Sequence, residues 1–172
     1  MSIVNRPAPD FQLEGVHDGE FVEISLDDYK GQWVILFFYP LDFTFVCPTE
    51  LREFSRRHDE FEDLDARVLA VSVDSKYSHL AWQNTDLGDI VYPMLSDITR
   101  HTSRRYGVLL EDEGIALRGL FIIDPEGTVQ YEVVHGTDVG RSVDETVRVL
   151  QALQTESLCP VGWQPGDPTL DE

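Results

Sequence analysis

The chain alternates uninterrupted apolar runs with stretches in which apolar residues recur at every third or fourth position. Residues 33–39 (WVILFFY) and 67–73 (RVLAVSV) have strand length and no polar face, which predicts two strands buried on both sides of a sheet. Between them Leu51, Phe54, His58, Phe61 and Leu64 recur among charged neighbours with the spacing of a helix that buries one face. Weaker patterns predict short helices over residues 76–84 and 99–106, and between them a short strand over 92–95 interrupted by Pro93. Residues 118–123 (RGLFII) and 128–134 (TVQYEVV) are β-rich runs separated by the turn sequence Asp124-Pro125-Glu126-Gly127, which predicts a hairpin. Ser142 and Glu145 have the spacing of a capping box, and Val143, Val147 and Leu150 form the apolar stripe of a last helix ending near Gln154. Strands alternating with helices, followed by one late hairpin, define an α/β sandwich around a central mixed sheet. Residues 1–155 are expected to form this domain. Residues 156–172, with Pro160, Pro165 and Pro168, read as an irregular C-terminal arm.

A chain of 172 residues can bury a core of its own without a disulfide scaffold. Its charge changes the picture more than its size does. With 32 acidic against 13 basic residues the net charge is -19, and Lys30 and Lys76 are the only lysines. Such a surface repels phosphate backbones, which excludes nucleic acid as a partner. It also fits a cytoplasm rich in salt, where the self-repulsion of the acidic surface is screened. Residues 1–20 lack a basic stretch followed by an apolar run, and residues 33–39 are too few to span a bilayer, so the expected location is cytoplasmic with no membrane partner.

In a reducing compartment two cysteines leave three readings open: redox work, metal binding and simple burial. Metal is the weakest, because His17, His58, His79, His101 and His135 are scattered, with no C-x-x-C or H-E-x-x-H spacing. Cys47 follows the first buried strand by eight residues and directly precedes Pro48 and a helical pattern. Proline favours the first turn of a helix, so Cys47 belongs at or beside a helix N-terminus, where unpaired N–H groups favour a thiolate. By position alone a reactive cysteine and a packed structural one remain alternatives.

The surrounding residues carry more. FYPLDFTFVCPTEL, residues 38–51, contains P-x-x-x-T-x-x-C as Pro40, Thr44 and Cys47, and it resembles the active-site loop of the peroxiredoxins. DEGIALRGLFIIDPEG (112–127), GRSVDETVR (140–148), SHLAWQNT (78–85) and LCPVGWQPG (158–166) extend the resemblance from about residue 9 to residue 166. The resemblance implies a thioredoxin-like fold and reduction of hydrogen peroxide and organic hydroperoxides. It implies that Cys47 is the peroxidatic nucleophile, that Thr44 hydrogen-bonds the thiolate and the peroxide, and that Pro40 shields the site from water. Arg118 stands where the family carries its catalytic arginine, while Glu50 and Arg141 match a supporting ion-pair network. A guanidinium suits charge that develops on a leaving oxygen, because it is always charged and offers a rigid fork of donors.

Cys159 matches the resolving cysteine of typical two-cysteine peroxiredoxins, which reaches the peroxidatic cysteine of a neighbouring subunit. That subfamily implies a head-to-tail homodimer, often a ring of five dimers. With no C-x-x-C in the chain, an outside dithiol protein such as thioredoxin is the expected reductant. The chemistry needs no metal, haem or flavin. Oxidation-sensitive members carry a G-G-L-G insertion where this chain has Thr85-Asp86-Leu87-Gly88, and a Tyr-Phe tail helix where it has Asp171-Glu172; both departures predict resistance to over-oxidation. Two rival functions remain: a thioredoxin-type oxidoreductase, which would need the absent C-x-x-C, and a holdase chaperone, which is compatible with catalysis.

Overall fold

The computed structural model describes residues 1–171, so Glu172 lies outside the described residues. In chain order the elements are β1 (Gln12–His17), β2 (Glu20–Ser25), β3 (Trp33–Phe38), α1 (Cys47–Arg56), α2 (His58–Asp63), β4 (Ala66–Ser72), α3 (Lys76–Trp82), β5 (Met94–Ser96), α4 (His101–Arg105), β6 (Leu109–Leu110), β7 (Ile115–Ala116), β8 (Arg118–Ile123), β9 (Val129–His135) and α5 (Val143–Gln154). Among these residues seven strands form one mixed sheet in the order β2-β1-β5-β4-β3-β8-β9, and β6 pairs with β7 apart from it.

Strand β3 lies inside the sheet because it has no polar face to offer to water. Val34, Leu36 and Phe38 enter a cluster with Leu69, Val71, Tyr106, Val108 and Phe121. Successive side chains alternate between faces, so Ile35 and Phe37 point the other way, where the Phe37 ring stacks on Phe54 of α1 at 4.6 Å. The parallel β3–β4 pair sets Ile35 opposite Val68, and the antiparallel β3–β8 pair sets it opposite Ile122. Helix α2 runs along β4, and α3 runs beside β1 and β5. This is the expected sandwich with a mixed sheet.

Several elements differ from the sequence expectation, each for a local reason. The helical stripe over 51–64 is interrupted at Arg57, whose ψ of 16 ends α1 and starts α2. The buried face nevertheless continues across the break, with the Phe54 and Phe61 rings 5.8 Å apart. Pro93 precedes β5 instead of interrupting it, so its missing N–H removes nothing from that ladder. Strands β1 and β2 were not anticipated, because Val16 and Ile24 are their only buried large apolar residues. Their turn has a recognisable signal: Asp18 and Gly19 both have positive φ, as the Asp-Gly of a two-residue hairpin requires. Past Trp82 the α3 backbone widens into a π-helical turn over Gln83–Leu87.

The chain divides into two compact units, Met1–Arg141 and a second that begins at Ser142. The first holds the sheet and helices α1–α4. In the second, the Ser142 side chain caps α5 by accepting from the Glu145 N–H. The Glu145 carboxylate does not return the bond but pairs with Arg148 at 2.6 Å. The tail has no regular element, yet its own bonds close it: Leu170 N–H donates to Leu158 O at 2.8 Å, and Trp163 Nε1–H donates to Asp167 O at 3.1 Å. No helix among the described residues is long and apolar enough to cross a membrane.

Candidate active site

Cys47 is the first residue of α1, with Pro48 behind it and no side-chain cap from Val46. The unpaired N–H groups of a helix start give this end a partial positive charge. The Cys47 side chain is fully buried. Arg118, the first residue of β8, reaches it from the sheet, and its Nη1 donates to Cys47 Sγ at 3.3 Å. That guanidinium has little freedom. Its Nε and Nη2 both donate to the Thr137 carbonyl, at 2.9 and 2.8 Å, and Nη1 also donates to Glu50 Oε1 at 2.6 Å.

Glu50, one turn along α1 from Cys47, is the common partner of two arginines. Arg141 donates to it from Nε, Nη2 and the backbone N–H, and from Nη1 to the carbonyls of Phe38 and Gly119. All three side chains are almost inaccessible to water. Burial pushes the Glu50 carboxyl up, but the hydrogen bonds and charge of Arg141, with the charge of Arg118 beyond them, outweigh it and hold the group below the ordinary carboxylate range. Two guanidinium groups against one carboxylate leave one positive charge uncompensated, and the Cys47 sulfur is the group beside it.

The loop between β3 and α1 leads directly into Cys47. Pro40 is buried and Thr44 half-buried. The Thr44 hydroxyl donates to the Leu41 carbonyl at 2.9 Å, so its hydrogen points along the loop and not at the sulfur; its lone pairs stay available to accept. Tyr39, Asp42 and His79, which sequence reasoning passed over, form a buried polar cluster under the same loop. A single acid in a loop and a single histidine on a helix give no periodic signal.

The structure brings Cys47, Glu50, Arg118 and Arg141 together from three separate segments: α1, the start of β8 and the loop before α5. Cys159 belongs to the second unit, half-buried, with its Sγ 3.4 Å from Thr155 Oγ1 and lining a hollow with Val149, Ala152, Leu153 and Pro160. Both cysteines are free thiols. One group of metal-type side chains lies together among the described residues, with a single histidine: potential donor atoms of His58, Asp59 and Glu62 are within 4.8 Å of one another. These residues occupy a mostly exposed surface of α2 and take no part in the arrangement around Cys47.

A buried cysteine at a helix start with a guanidinium fixed on its sulfur has the surroundings that favour a reactive thiol. Comparison with known proteins supplies the class. The AhpC/TSA family model matches residues 4–132. The chain is 57% identical over 175 residues to a putative peroxiredoxin in the rubredoxin operon of Clostridium pasteurianum, covering 98% of each. It is 55% identical over 180 residues to the chloroplastic 2-Cys peroxiredoxin BAS1 of Spinacia oleracea, covering 99% of this chain and 68% of that protein. The crystal structure of reduced Plasmodium vivax 2-Cys peroxiredoxin matches with a TM-score of 0.95 at 40% identity, covering 98% of this chain and 93% of that one. The chain therefore belongs to the AhpC/TSA family, the peroxiredoxins, and is a thioredoxin-fold oxidoreductase with thiol peroxidase activity.

Proposed function

We propose that Cys47 reduces hydrogen peroxide and organic hydroperoxides as a thiolate. The sulfur attacks one peroxide oxygen, an S–O bond forms as the O–O bond breaks, and the leaving oxygen takes one proton from solvent, replacing the one that Cys47 gave up on ionising, and departs as water or an alcohol. Cys47 is left as a sulfenic acid. Arg118 holds the sulfur and meets the charge that grows on the leaving oxygen. Thr44 accepts a hydrogen bond from the peroxide hydroxyl with the lone pair left by its bond to Leu41. Pro40 keeps water out, and Glu50 with Arg141 fixes the angle of Arg118. The observation that carries this reading is the 3.3 Å contact between Arg118 Nη1 and Cys47 Sγ, inside a buried cluster with one positive charge to spare.

Cys159 of the partner subunit then attacks the sulfenic sulfur, an S–S bond forms, and water leaves. A thioredoxin-like dithiol protein restores both thiols, and the functional unit is a head-to-tail homodimer, assembled further into a ring of five. We place the enzyme in the cytoplasm, one rich in salt, since two free thiols suit a reducing compartment and the net charge of -19 suits high ionic strength. Residues 1–155 form the peroxidase domain and 156–172 the arm that presents Cys159. Non-reducing electrophoresis before and after one equivalent of peroxide tests the cycle. A disulfide-linked dimer is expected from the wild type and none from Cys159→Ser or Cys47→Ser; a monomer that stays monomeric in the wild type refutes it.

With Thr85-Asp86-Leu87-Gly88 in place of G-G-L-G, the enzyme resists over-oxidation. Mass spectrometry after turnover with excess peroxide should find the disulfide as the main product, and prompt sulfinic acid on Cys47 counts against this.

A further inference from the structure

Under the loop that carries Pro40 and Thr44 lies a polar cluster to which the cycle above assigns no part. The side chains of Asp42 and His79 are 1% and 0% exposed. His79 stands on α3, with Nε2 3.0 Å from the Leu95 carbonyl of β5 and Nδ1 2.7 Å from Asp42 Oδ2. A carbonyl oxygen only accepts, so Nε2 carries a hydrogen. Asp42 also receives the Tyr39 hydroxyl on Oδ1 at 2.7 Å and the Ser78 hydroxyl on Oδ2 at 2.8 Å. With these two hydroxyls already donating to it, the Asp42 carboxylate offers Nδ1 the place of a third donor. Both ring nitrogens thus face oxygen acceptors out of water, the arrangement that suits a doubly protonated ring.

The other groups around the pair agree with this. The Tyr39 hydroxyl also lies 3.4 Å from Nδ1, and burial first, then the Asp42 charge, pushes its ionisation well above the ordinary range, so it stays a neutral donor. Asp74 accepts the Asp42 backbone N–H at 2.6 Å. Burial raises the Asp74 carboxyl, while the Asp42 amide, His79 and Arg100 act to lower it.

The pair has something to hold. Phe43, next to Asp42, has φ +57, a left-handed conformation that a bulky side chain adopts at a cost of order 1–3 kcal/mol. It persists only where its neighbours are fixed. Its ring lies 5.8 Å from Trp82, on the same helix as His79. A continuous chain of bonds follows: the Leu95 carbonyl holds His79, His79 holds Asp42, and the adjoining Leu41 carbonyl takes the Thr44 hydroxyl.

We propose that His79 is a positioning residue for peroxide reduction: as a doubly protonated imidazolium it fixes Asp42, and through Asp42 it fixes the loop that sets Pro40 and Thr44 over the Cys47 sulfur. It touches no substrate. The inference rests on the reading of Cys47 as the peroxide-reducing nucleophile.

Two variants separate the two bonds. His79→Asn puts an amide N–H where Nδ1 stood and keeps the bond to Asp42; His79→Gln puts one where Nε2 stood and keeps only the bond to Leu95. Rates of peroxide reaction measured by stopped-flow tryptophan fluorescence should stay within about threefold of wild type for Asn and fall by about tenfold or more for Gln, the size expected for a lost bond to a charged group. Nitrogen-15 NMR of the wild-type protein should show both His79 ring nitrogens protonated at neutral pH. Equal rates in the two variants, or an equal fall in both, overturns the proposal. So does an unprotonated ring nitrogen in the wild type, a result that requires neither variant to fold. A wild type that consumes no peroxide overturns the function and this role together, whereas an active wild type with a singly protonated His79 overturns this role alone.

Discussion

Glu50 and Arg141 are joined by three hydrogen bonds: guanidinium Nε to Oε2 at 2.7 Å, Nη2 to Oε1 at 3.0 Å, and the Arg141 backbone N–H to Oε2 at 2.8 Å. The remaining arm of the same guanidinium is tied to the carbonyls of Phe38 on β3 and Gly119 on β8. Glu50 thus links the helix that carries Cys47 to two strands of the sheet, and Arg118 is held on its free side. Positioning and charge balance here depend on one carboxylate.

Removing that charge leaves two buried guanidinium groups without their anion. Glu50→Gln should destabilise the fold by about 3–5 kcal/mol, the cost of breaking a buried pair from one side. Urea unfolding at neutral pH measures it. A loss below about 1 kcal/mol would mean that the pair is solvated or easily replaced.

The same carboxylate gives a pH dependence with a definite sign. Its folded pKa is lowered, so its contribution to stability is complete above the ordinary carboxylate range and is lost as the pH falls through the folded value. Once protonated, Glu50 resembles the glutamine that replaces it. The stability gap between wild type and Glu50→Gln should therefore narrow below about pH 4, and unfolding curves collected between about pH 3 and pH 7 decide it.

Arg118→Lys keeps the charge but not the fork. One ammonium cannot hold Thr137 O through two nitrogens while donating to both Glu50 and Cys47 Sγ in the present geometry. The rate of reaction with hydrogen peroxide should drop by about 100- to 1,000-fold, as for loss of one preorganised donor at a site of developing charge. Stopped-flow kinetics provide the measurement, and near-UV circular dichroism checks that the fold is retained.

The aromatic contact behind the site is a prediction about packing. Phe54→Ala removes the ring that stacks on Phe37 at 4.6 Å and meets Phe61 at 5.8 Å, and should cost about 3–5 kcal/mol. Because Phe54 lies on the same helix as Cys47, Phe54→Leu should restore most of the stability while the peroxide rate still reports any shift of the helix. Thermal unfolding with parallel kinetics measures both.

What could be read from the sequence follows from how each feature is encoded. β3, β4 and β8 are mostly apolar because both faces are buried, and that pattern stands out over six or seven residues despite Arg67, Ser72 and Arg118. The β1–β2 pair buries little and presents polar residues on both faces, so no alternation marks it. Cys47, Arg118, Glu50 and Arg141 were legible through the motif around each, but periodicity says nothing of the distances that bring them together. Asp42 and His79 each lie inside a segment that carries the resemblance, residues 38–51 and 78–85, but nothing in either segment marks the two as partners. The meaning of the pair comes from three dimensions, where one loop and one helix meet out of water.

The excess of acid sets the last prediction. A few exposed pairs, such as Arg56 with Glu53 and Arg104 with Glu111, lose a little when salt screens them. Against these stand 32 acidic residues facing only 13 basic ones, so most of what screening removes is repulsion. At about 1 M salt the Debye length is about 3 Å, shorter than most separations between surface carboxylates. Raising potassium chloride from about 0.1 M to about 1 M should therefore stabilise the protein, and a gain of roughly 2 kcal/mol would lift the melting midpoint by about 4–8 °C in a chain of this length. Calorimetry at rising salt provides the measurement. A flat or falling midpoint would mean that the acidic surface is already balanced by its own geometry, and the saline cytoplasm would lose its support.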